Sequence, residues 1–226
     1  MLVNHRRTLI HALALIGACA FMLIAVGRHD PSAAPDTTLP AIGVLDGHIH
    51  DLGDTIRFGA LTGFFKFMNV IGGGLVTIPL RVLACIALLA RKRWRAFSAF
   101  ALTWLVSEVS LTLLKQFFHR GRPPVTLVAV SGYSFPSGHA VAGAATAVAL
   151  VLAFTHPGPA RLKWEWAAVA FAFVMALSRV YLWAHWFSDT VTGVLLGAGI
   201  ALAAAAVATE VRDLAMRHRP VASTMR

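Results

Sequence analysis

Charge is scarce in this sequence. Of 226 residues only 13% are Asp, Glu, Lys or Arg, while 58% are hydrophobic and the mean hydropathy is +0.70. A soluble domain carries about a quarter charged residues, so these figures exclude a water-exposed globule and a disordered chain alike. Cysteine is nearly absent: Cys19 and Cys85 both lie inside apolar runs, which excludes a disulfide scaffold. Acidic residues number 10 against 20 lysines and arginines, for a net charge of +10. The basic residues fall in short clusters between apolar runs rather than along one polar face, which is how a bilayer protein carries charge, and no DNA or RNA partner is indicated. The one glycine run, Gly72-Gly73-Gly74, lacks the lysine and serine of a phosphate-binding loop and reads as close helix packing or a hinge. There is no internal repeat.

What is present is a series of apolar runs. Leu9 to Gly27 follows His5-Arg6-Arg7 and is long enough, at about 1.5 Å per residue, to cross a bilayer core of about 30 Å. Ala18-Cys19-Ala20 mimics a signal-peptidase site, but the run continues beyond it, so a retained anchor over residues 1–27 is expected. Residues 28–60 form the longest polar stretch, with Asp30, Asp36, Asp46, Asp51 and Asp54 among Pro31, Pro35 and Pro40. That composition suits an external loop with a short interfacial helix leading into the next span. Further spans are expected over Leu61 or Phe67 to Ala90, Phe97 to Phe118, Gly138 to Phe154, Trp164 to Val180 and Trp186 to Thr209. The prediction is an all-α, polytopic membrane protein with six transmembrane helices: a helical-bundle core over residues 61–209 and a tail over 210–226.

The basic clusters orient it. Arg6 and Arg7, the four cations of Arg91 to Arg95, Arg161 with Lys163, and Arg212, Arg217, Arg219 and Arg226 supply 12 of the 20 lysines and arginines on one side. The positive-inside rule then puts both termini in the cytoplasm and the acidic loop outside. Trp183, Trp186 and Tyr133 fall at the outer interface, and Trp94, Trp164 and Trp166 at the inner one, as aromatic belts predict.

Three polar segments stand at membrane ends where a plain linker would use Gly, Ser and Asn: Lys115 with Arg122-Pro123, Pro136-Ser137-Gly138-His139, and Ser178-Arg179 followed by His185 and Asp189. On this topology all three lie on the outer side. Phosphoryl transfer asks for cations on the nonbridging oxygens, an in-line nucleophile and an acid for the leaving group. Lys115 is a compact point charge, and Arg122 and Arg179 are planar forks that match phosphate bidentately. Ser137 and Gly138 open a helix after Pro136, where backbone amides and the helix dipole favour an anion. His139 stands on the same first turn. His185 and Asp189, spaced i,i+4, share a helix face, so the carboxylate can hold one ring nitrogen protonated while the other attacks phosphorus. Taken singly, Lys115 and Arg179 are ordinary snorkelling residues and Pro136-Ser137-Gly138 an ordinary helix start. A Pro-Ser-Gly-His tetrapeptide, however, arises by chance in roughly one in a thousand chains of this length, before the flanking motifs are required.

These three segments resemble the signature of the type 2 phosphatidic acid phosphatase superfamily, the integral-membrane lipid phosphate phosphatases related to vanadium haloperoxidases. Lys115-x6-Arg122-Pro123, Pro136-Ser137-Gly138-His139 and Ser178-Arg179-x5-His185-x3-Asp189 match it at every signature position. The resemblance implies a six-helix core and a metal-independent phosphatase, without cofactor, working through a phosphohistidine. It also implies that His185 is the nucleophile, Asp189 its partner and His139 the acid, with Lys115, Arg122, Arg179, Ser137 and Gly138 as the phosphate cradle. The expected substrate is a lipid phosphate or diphosphate at the outer leaflet of a bacterial-type cytoplasmic membrane, first of all undecaprenyl diphosphate. Phosphatidate, phosphatidylglycerol phosphate, diacylglycerol diphosphate and lipid A phosphates are the alternatives. A noncatalytic lipid-phosphate binder or transporter would be marked by loss of His139, His185 or Asp189, none of which is lost; a vanadate-bound haloperoxidase would carry a large soluble body.

Three features stand outside that set. Asp46-Gly47-His48-Ile49-His50-Asp51 holds zinc-type ligands, but it lacks rigid helical spacing and a cysteine partner, and reads as a solvated loop. Arg81 and Glu108 lie near the middle of predicted spans, where an unpaired charge is expensive. They are expected either to pair with each other or, for Glu108, to support Lys115 from about two turns deeper.

Overall fold

The computed structural model describes residues 5–27 and 38–217, and within them every regular element is helical. Asp30, Pro31, Pro35, Asp36, Arg219 and Arg226 lie outside the described residues. Eight α-helices follow in order: α1 (His5–Val26), α2 (Pro40–Thr55), α3 (Gly59–Gly72), α4 (Gly74–Ala90), α5 (Trp94–Phe118), α6 (Gly138–Phe154), α7 (Leu162–Tyr181) and α8 (Phe187–Arg217), with one 3-10 turn at Pro159–Arg161. Within the polar stretch after the first run, Pro40–Thr55 forms α2, a helix of 16 residues that stands where a short interfacial helix is expected.

By length and apolar composition α1, α5 and α8 each qualify singly as spans, and α3 with α4 qualifies as one span bent by 44°. The apolar α6 has 17 residues, short for a full crossing. The predicted count of six is therefore met by these criteria only in part. The bend is at Gly73, whose amide bonds the Val70 carbonyl at 3.1 Å instead of continuing the α-helical ladder to Asn69. The glycines there also make room, because a Cβ on Gly72 would lie 2.5 Å from Met175 Sδ and 3.0 Å from His139 Cδ2. Both readings of the glycine run, hinge and close packing, hold at once.

The bundle is built around α6 and α8. Gly193 and Gly197, one turn apart on α8, press against α6 so closely that a Cβ on Gly197 would lie 2.4 Å from the Val141 carbonyl oxygen and 2.9 Å from the Ala145 amide. This small-xxx-small seam lets two backbones approach as they do in membrane helices, where dispersion rather than hydrophobic transfer must hold helices together. Deeper along the seam Ala149, Leu152, Ala153, Ala201 and Ala205 close a core with Leu88, Ala96, Ala99 and Phe100. The outer faces are apolar as lipid requires, with Leu75 83% and Ile24 72% exposed.

Arg81 is the one charged side chain buried at mid-bundle among the described residues, and its partners explain how it is tolerated. It meets Glu108 Oε1 at 2.5 Å, donates from Nε to Thr146 Oγ1 at 2.8 Å and from Nη2 to the Ala142 carbonyl at 3.3 Å. The pairing of Arg81 with Glu108 is thus the outcome, and it ties α4 and α5 to α6. Trp94, Trp164 and Trp166 are exposed at one end of the bundle, as a belt requires. At the other end Trp183 and Trp186 pack inward instead, Trp183 stacking on His50 and Trp186 Nε1 donating to the Gly121 carbonyl at 3.0 Å.

Candidate active site

The α6–α8 seam places two helix starts side by side. Gly193 holds Ser137 against the first turns of α8, and the Ser137 amide donates to the Asp189 carbonyl at 3.0 Å. That amide is therefore engaged, and the predicted anion site at the start of α6 is narrower than the sequence suggests. What it retains are the first-turn amides of Gly138, His139 and Ala140, which meet no carbonyl acceptor among the described residues, and the Ser137 hydroxyl, which is buried without a partner.

His185 lies in the turn between α7 and α8, where its amide and that of Ala184 both bond the Arg179 carbonyl, at 3.2 and 3.0 Å. Its Nε2 is 3.1 Å from Arg122 Nη1, and its Nδ1 is 3.4 Å from Asp189 Oδ2. Arginine can only donate, so Nε2 is the lone-pair nitrogen and Nδ1 carries the hydrogen, facing the carboxylate. The Nδ1 contact is a Coulombic pairing rather than a full hydrogen bond, since 3.4 Å exceeds the usual N–H···O range. Burial drives the His185 imidazole down to about 3, with Asp189 opposing and Arg122 and Arg179 reinforcing that fall, so the ring is neutral at ordinary pH.

Asp189 is held from three sides. It is the third residue of α8, and its Oδ2 accepts from the Trp186 amide at 3.0 Å, one half of a capping box. Its Oδ1 accepts from Arg120 Nη1 at 2.6 Å. Arg120 in turn donates to Ser188 Oγ at 2.7 Å and, from Nη2, to Asp46 Oδ2 at 2.7 Å. Burial works against the Arg120 charge, but Asp189 and Asp46 overcome it and raise its pKa above the ordinary value.

The other predicted cations converge on the same end. Arg122 binds the 119–137 loop through the carbonyls of Gly132, Ser131 and Tyr133 at 2.9, 2.8 and 3.2 Å, and reaches the Ala184 carbonyl at 2.6 Å. Lys115, in the last turn of α5, donates to the Tyr133 carbonyl that Arg122 also uses. Arg179 donates to the side chain of Asn69, and its Nε is buried without a partner. His139 Nε2 meets the Asn69 carbonyl at 3.1 Å. That carbonyl is available because the Gly73 break diverts its helical donor, and since a carbonyl only accepts, Nε2 carries the hydrogen. Lys115, Arg122 and Arg179 all act electrostatically on His139. Every site residue predicted from the sequence is thus gathered at one end of the bundle, with unpartnered donors at Ser137, the α6 amides and Arg179 suited to a tetrahedral oxyanion.

Four residues escaped the sequence reading: Asp46, Ser188, Arg120 and Asn69. Arg120 had a signal, a second arginine two places before Arg122. Asp46 had one too, but of the wrong kind, since it stood in the Asp46 to Asp51 cluster read as metal-like or solvated. No group of three metal-ligating side chains occurs among the described residues. On α2 the cluster divides: Asp46 and His50 face the protein, while His48 and Asp51 are exposed.

A family model for the PAP2 superfamily matches residues 94–213. Two crystal structures share the fold. The transmembrane PAP2-type phosphatidylglycerolphosphate phosphatase from Bacillus subtilis is 21% identical, with a TM-score of 0.70 over 93% of this chain and 98% of its own. LpxE from Aquifex aeolicus is 24% identical, with a TM-score of 0.56 over 72% of this chain and 93% of its own. No curated protein matches the sequence.

Proposed function

Because this chain belongs to the PAP2 superfamily and is an integral-membrane lipid phosphatase, we propose that His185 Nε2 is the atom that attacks phosphorus. The observation that carries this reading is the protonation pattern of the buried ring, lone pair toward Arg122 and hydrogen toward Asp189. As the Nε2–P bond forms, the bond from phosphorus to the leaving oxygen breaks and His139 delivers a proton to that oxygen. Water then attacks the phosphohistidine, His139 takes a proton from it, the N–P bond breaks and phosphate departs. Arg122 passes its donor from Nε2 to a phosphate oxygen, joined by Lys115, Arg179, the Ser137 hydroxyl and the Gly138 amide. Asn69 steadies the charged form of His139 by accepting from its Nε2–H, leaving Nδ1–H for the leaving group.

The lysine and arginine distribution supports a site facing the periplasm or exterior, with both termini in the cytoplasm. Ser131, exposed in the 119–137 loop, tests this: Ser131→Cys in a Cys19→Ala, Cys85→Ala background reacts with an impermeant thiol reagent on intact cells. Labelling only after lysis reverses the orientation.

An outward site suits recovery of a carrier lipid, and undecaprenyl diphosphate is the proposed substrate. The fold likeness to the Bacillus subtilis enzyme favours phosphatidylglycerol phosphate as the second reading. Phosphate release from purified protein in detergent with EDTA, across these two lipids, phosphatidate and lipid A phosphates, is the deciding measurement. The highest kcat/KM is expected on undecaprenyl diphosphate, and a preference for phosphatidylglycerol phosphate replaces that assignment.

A further inference from the structure

Among the described residues, α2 contributes the one buried carboxylate that lies within the catalytic end without belonging to any of the three motifs. Asp46 is 3% exposed although its helix is largely exposed, and it makes three charge-assisted contacts. Its Oδ1 accepts from the Ser188 amide at 2.8 Å, and its Oδ2 accepts from Ser188 Oγ at 2.6 Å and from Arg120 Nη2 at 2.7 Å. It therefore caps α8 from outside that helix, at the turn that carries Asp189. We propose that Asp46 and Arg120 are positioning residues for catalysis: Arg120, shared between Asp46 and Asp189, fixes the Asp189 carboxylate against His185, and Asp46 preserves the negative charge that Asp189 shows to the ring.

The distances decide how the charge is divided. Arg120 stands 2.6 Å from Asp189 and 2.7 Å from Asp46, so neither carboxylate claims it alone. The three groups together carry one net negative charge, and the ring facing it gains positive charge as Nε2 bonds to phosphorus. A fixed negative charge at that place favours the transition state over the neutral ground state. With Asp46 neutral the three groups sum to zero. Arg120 then pairs with Asp189 alone, and the stabilisation of the ring is lost although every motif residue remains. Burial supports the same reading, because near-complete exclusion of water leaves these charges little to answer to but one another. The external segment is on this account a working part of the active site: α2 docks on the first turn of α8 through Asp46, and His50, one turn on, stacks on Trp183 with ring centroids 4.2 Å apart.

This assignment rests on the roles given above to His185 and Asp189, and the test separates the two. In purified full-length protein, Asp46→Asn keeps the shape and the acceptor for the Ser188 amide but removes the charge. It is expected to lower kcat and the rate of phosphoenzyme formation by at least about tenfold with KM changed less than about threefold, as residues supporting a catalytic group do. Asp51→Asn, on the exposed face of the same helix, is expected to match the native protein. In an Asp189→Asn background the further cost of Asp46→Asn is expected to shrink below about twofold, because the two act through one another. A native kcat in Asp46→Asn overturns the proposal, as does the same tenfold cost in the Asp189→Asn background, which would mark a structural role only. Should Asp46→Asn not fold, Arg120→Lys takes its place: an ammonium keeps the charge but cannot span both carboxylates, and native kcat there overturns the proposal equally. Native kcat in His185→Ala or Asp189→Asn is a different result, one that removes the reading beneath it.

Discussion

Where α6 and α8 begin, the side chains of Asp46, Arg120, Arg179, His185 and Asp189 are all buried, whereas eight residues or more into the same two helices the neighbours are Ala149, Leu152, Ala153, Ala201 and Ala205. The two regions share one seam and face opposite costs. At the apolar end nothing needs a partner, and close approach through small residues is enough. At the polar end each buried charge demands a partner, and the partners come from α2, the 119–137 loop and the α7–α8 turn. Glycine links the regions, because Gly193 stands between them and sets how near Ser137 lies to Asp189. Packing precision here serves chemistry.

The largest test removes the centre of the polar end. His185→Ala is expected to abolish phosphoenzyme formation and lower kcat by more than about a thousandfold on every substrate, since no other group can form the covalent bond. Phosphate trapped on His139 in that variant would exchange the two roles.

Next comes the seam itself. Gly197→Ala puts a methyl 2.4 Å from backbone on α6, and Gly193→Ala puts one 2.8 Å from the Ser137 carbonyl oxygen. Each is expected to cost about 1–3 kcal/mol, read as a fall in Tm. Only Gly193→Ala, which displaces Ser137 directly, is expected to lower kcat further than its Tm loss explains. Equal kcat losses would show that the seam acts as one unit and that the division into two regions is too sharp.

A smaller effect separates the histidines within the polar end. His139→Ala is expected to matter less for a good leaving group than for a lipid alkoxide, by at least about tenfold or roughly 1.4 kcal/mol, because only the alkoxide needs its proton badly. Steady-state rates on a lipid phosphate and a nitrophenyl phosphate give the ratio.

Titration probes the burial. The His185 ring, driven by burial down to about 3, is expected to stay neutral at pH 5 in substrate-free protein, measured by its ¹⁵N shifts. The unfolded ring binds its proton near 6.5, so the unfolded state holds more protons between those values and this residue's contribution to stability falls as pH drops from about 6.5 toward about 3. An ordinary titration near 6.5 would mean that water enters the polar end. The smallest expected effect is none: EDTA leaves kcat unchanged, because three cations and helix amides meet the phosphoryl charge.

Residue chemistry and spacing were enough to make the chain helical and membrane-embedded, and to name the two histidines and, apart from Arg120, the cations at the candidate site. These are properties that composition, period and motif carry locally. Even the α6–α8 seam is legible, as Gly193-x3-Gly197, once small-residue spacing is sought. Other outcomes depended on which surfaces meet. The hinge at Gly73 frees the Asn69 carbonyl, but only the packing of α6 against α3 brings His139 to it. Asp46 and Asp189 are 143 positions apart, and no local pattern marks one as the other's partner. In sequence Asp46 is an acid among acids and histidines on a polar stretch; its burial, its hold on Arg120 and its cap on α8 exist because α2 folds back over the start of α8. Local patterns record what a residue is able to do, and a buried charge takes its partner from whatever the fold brings within about 3 Å.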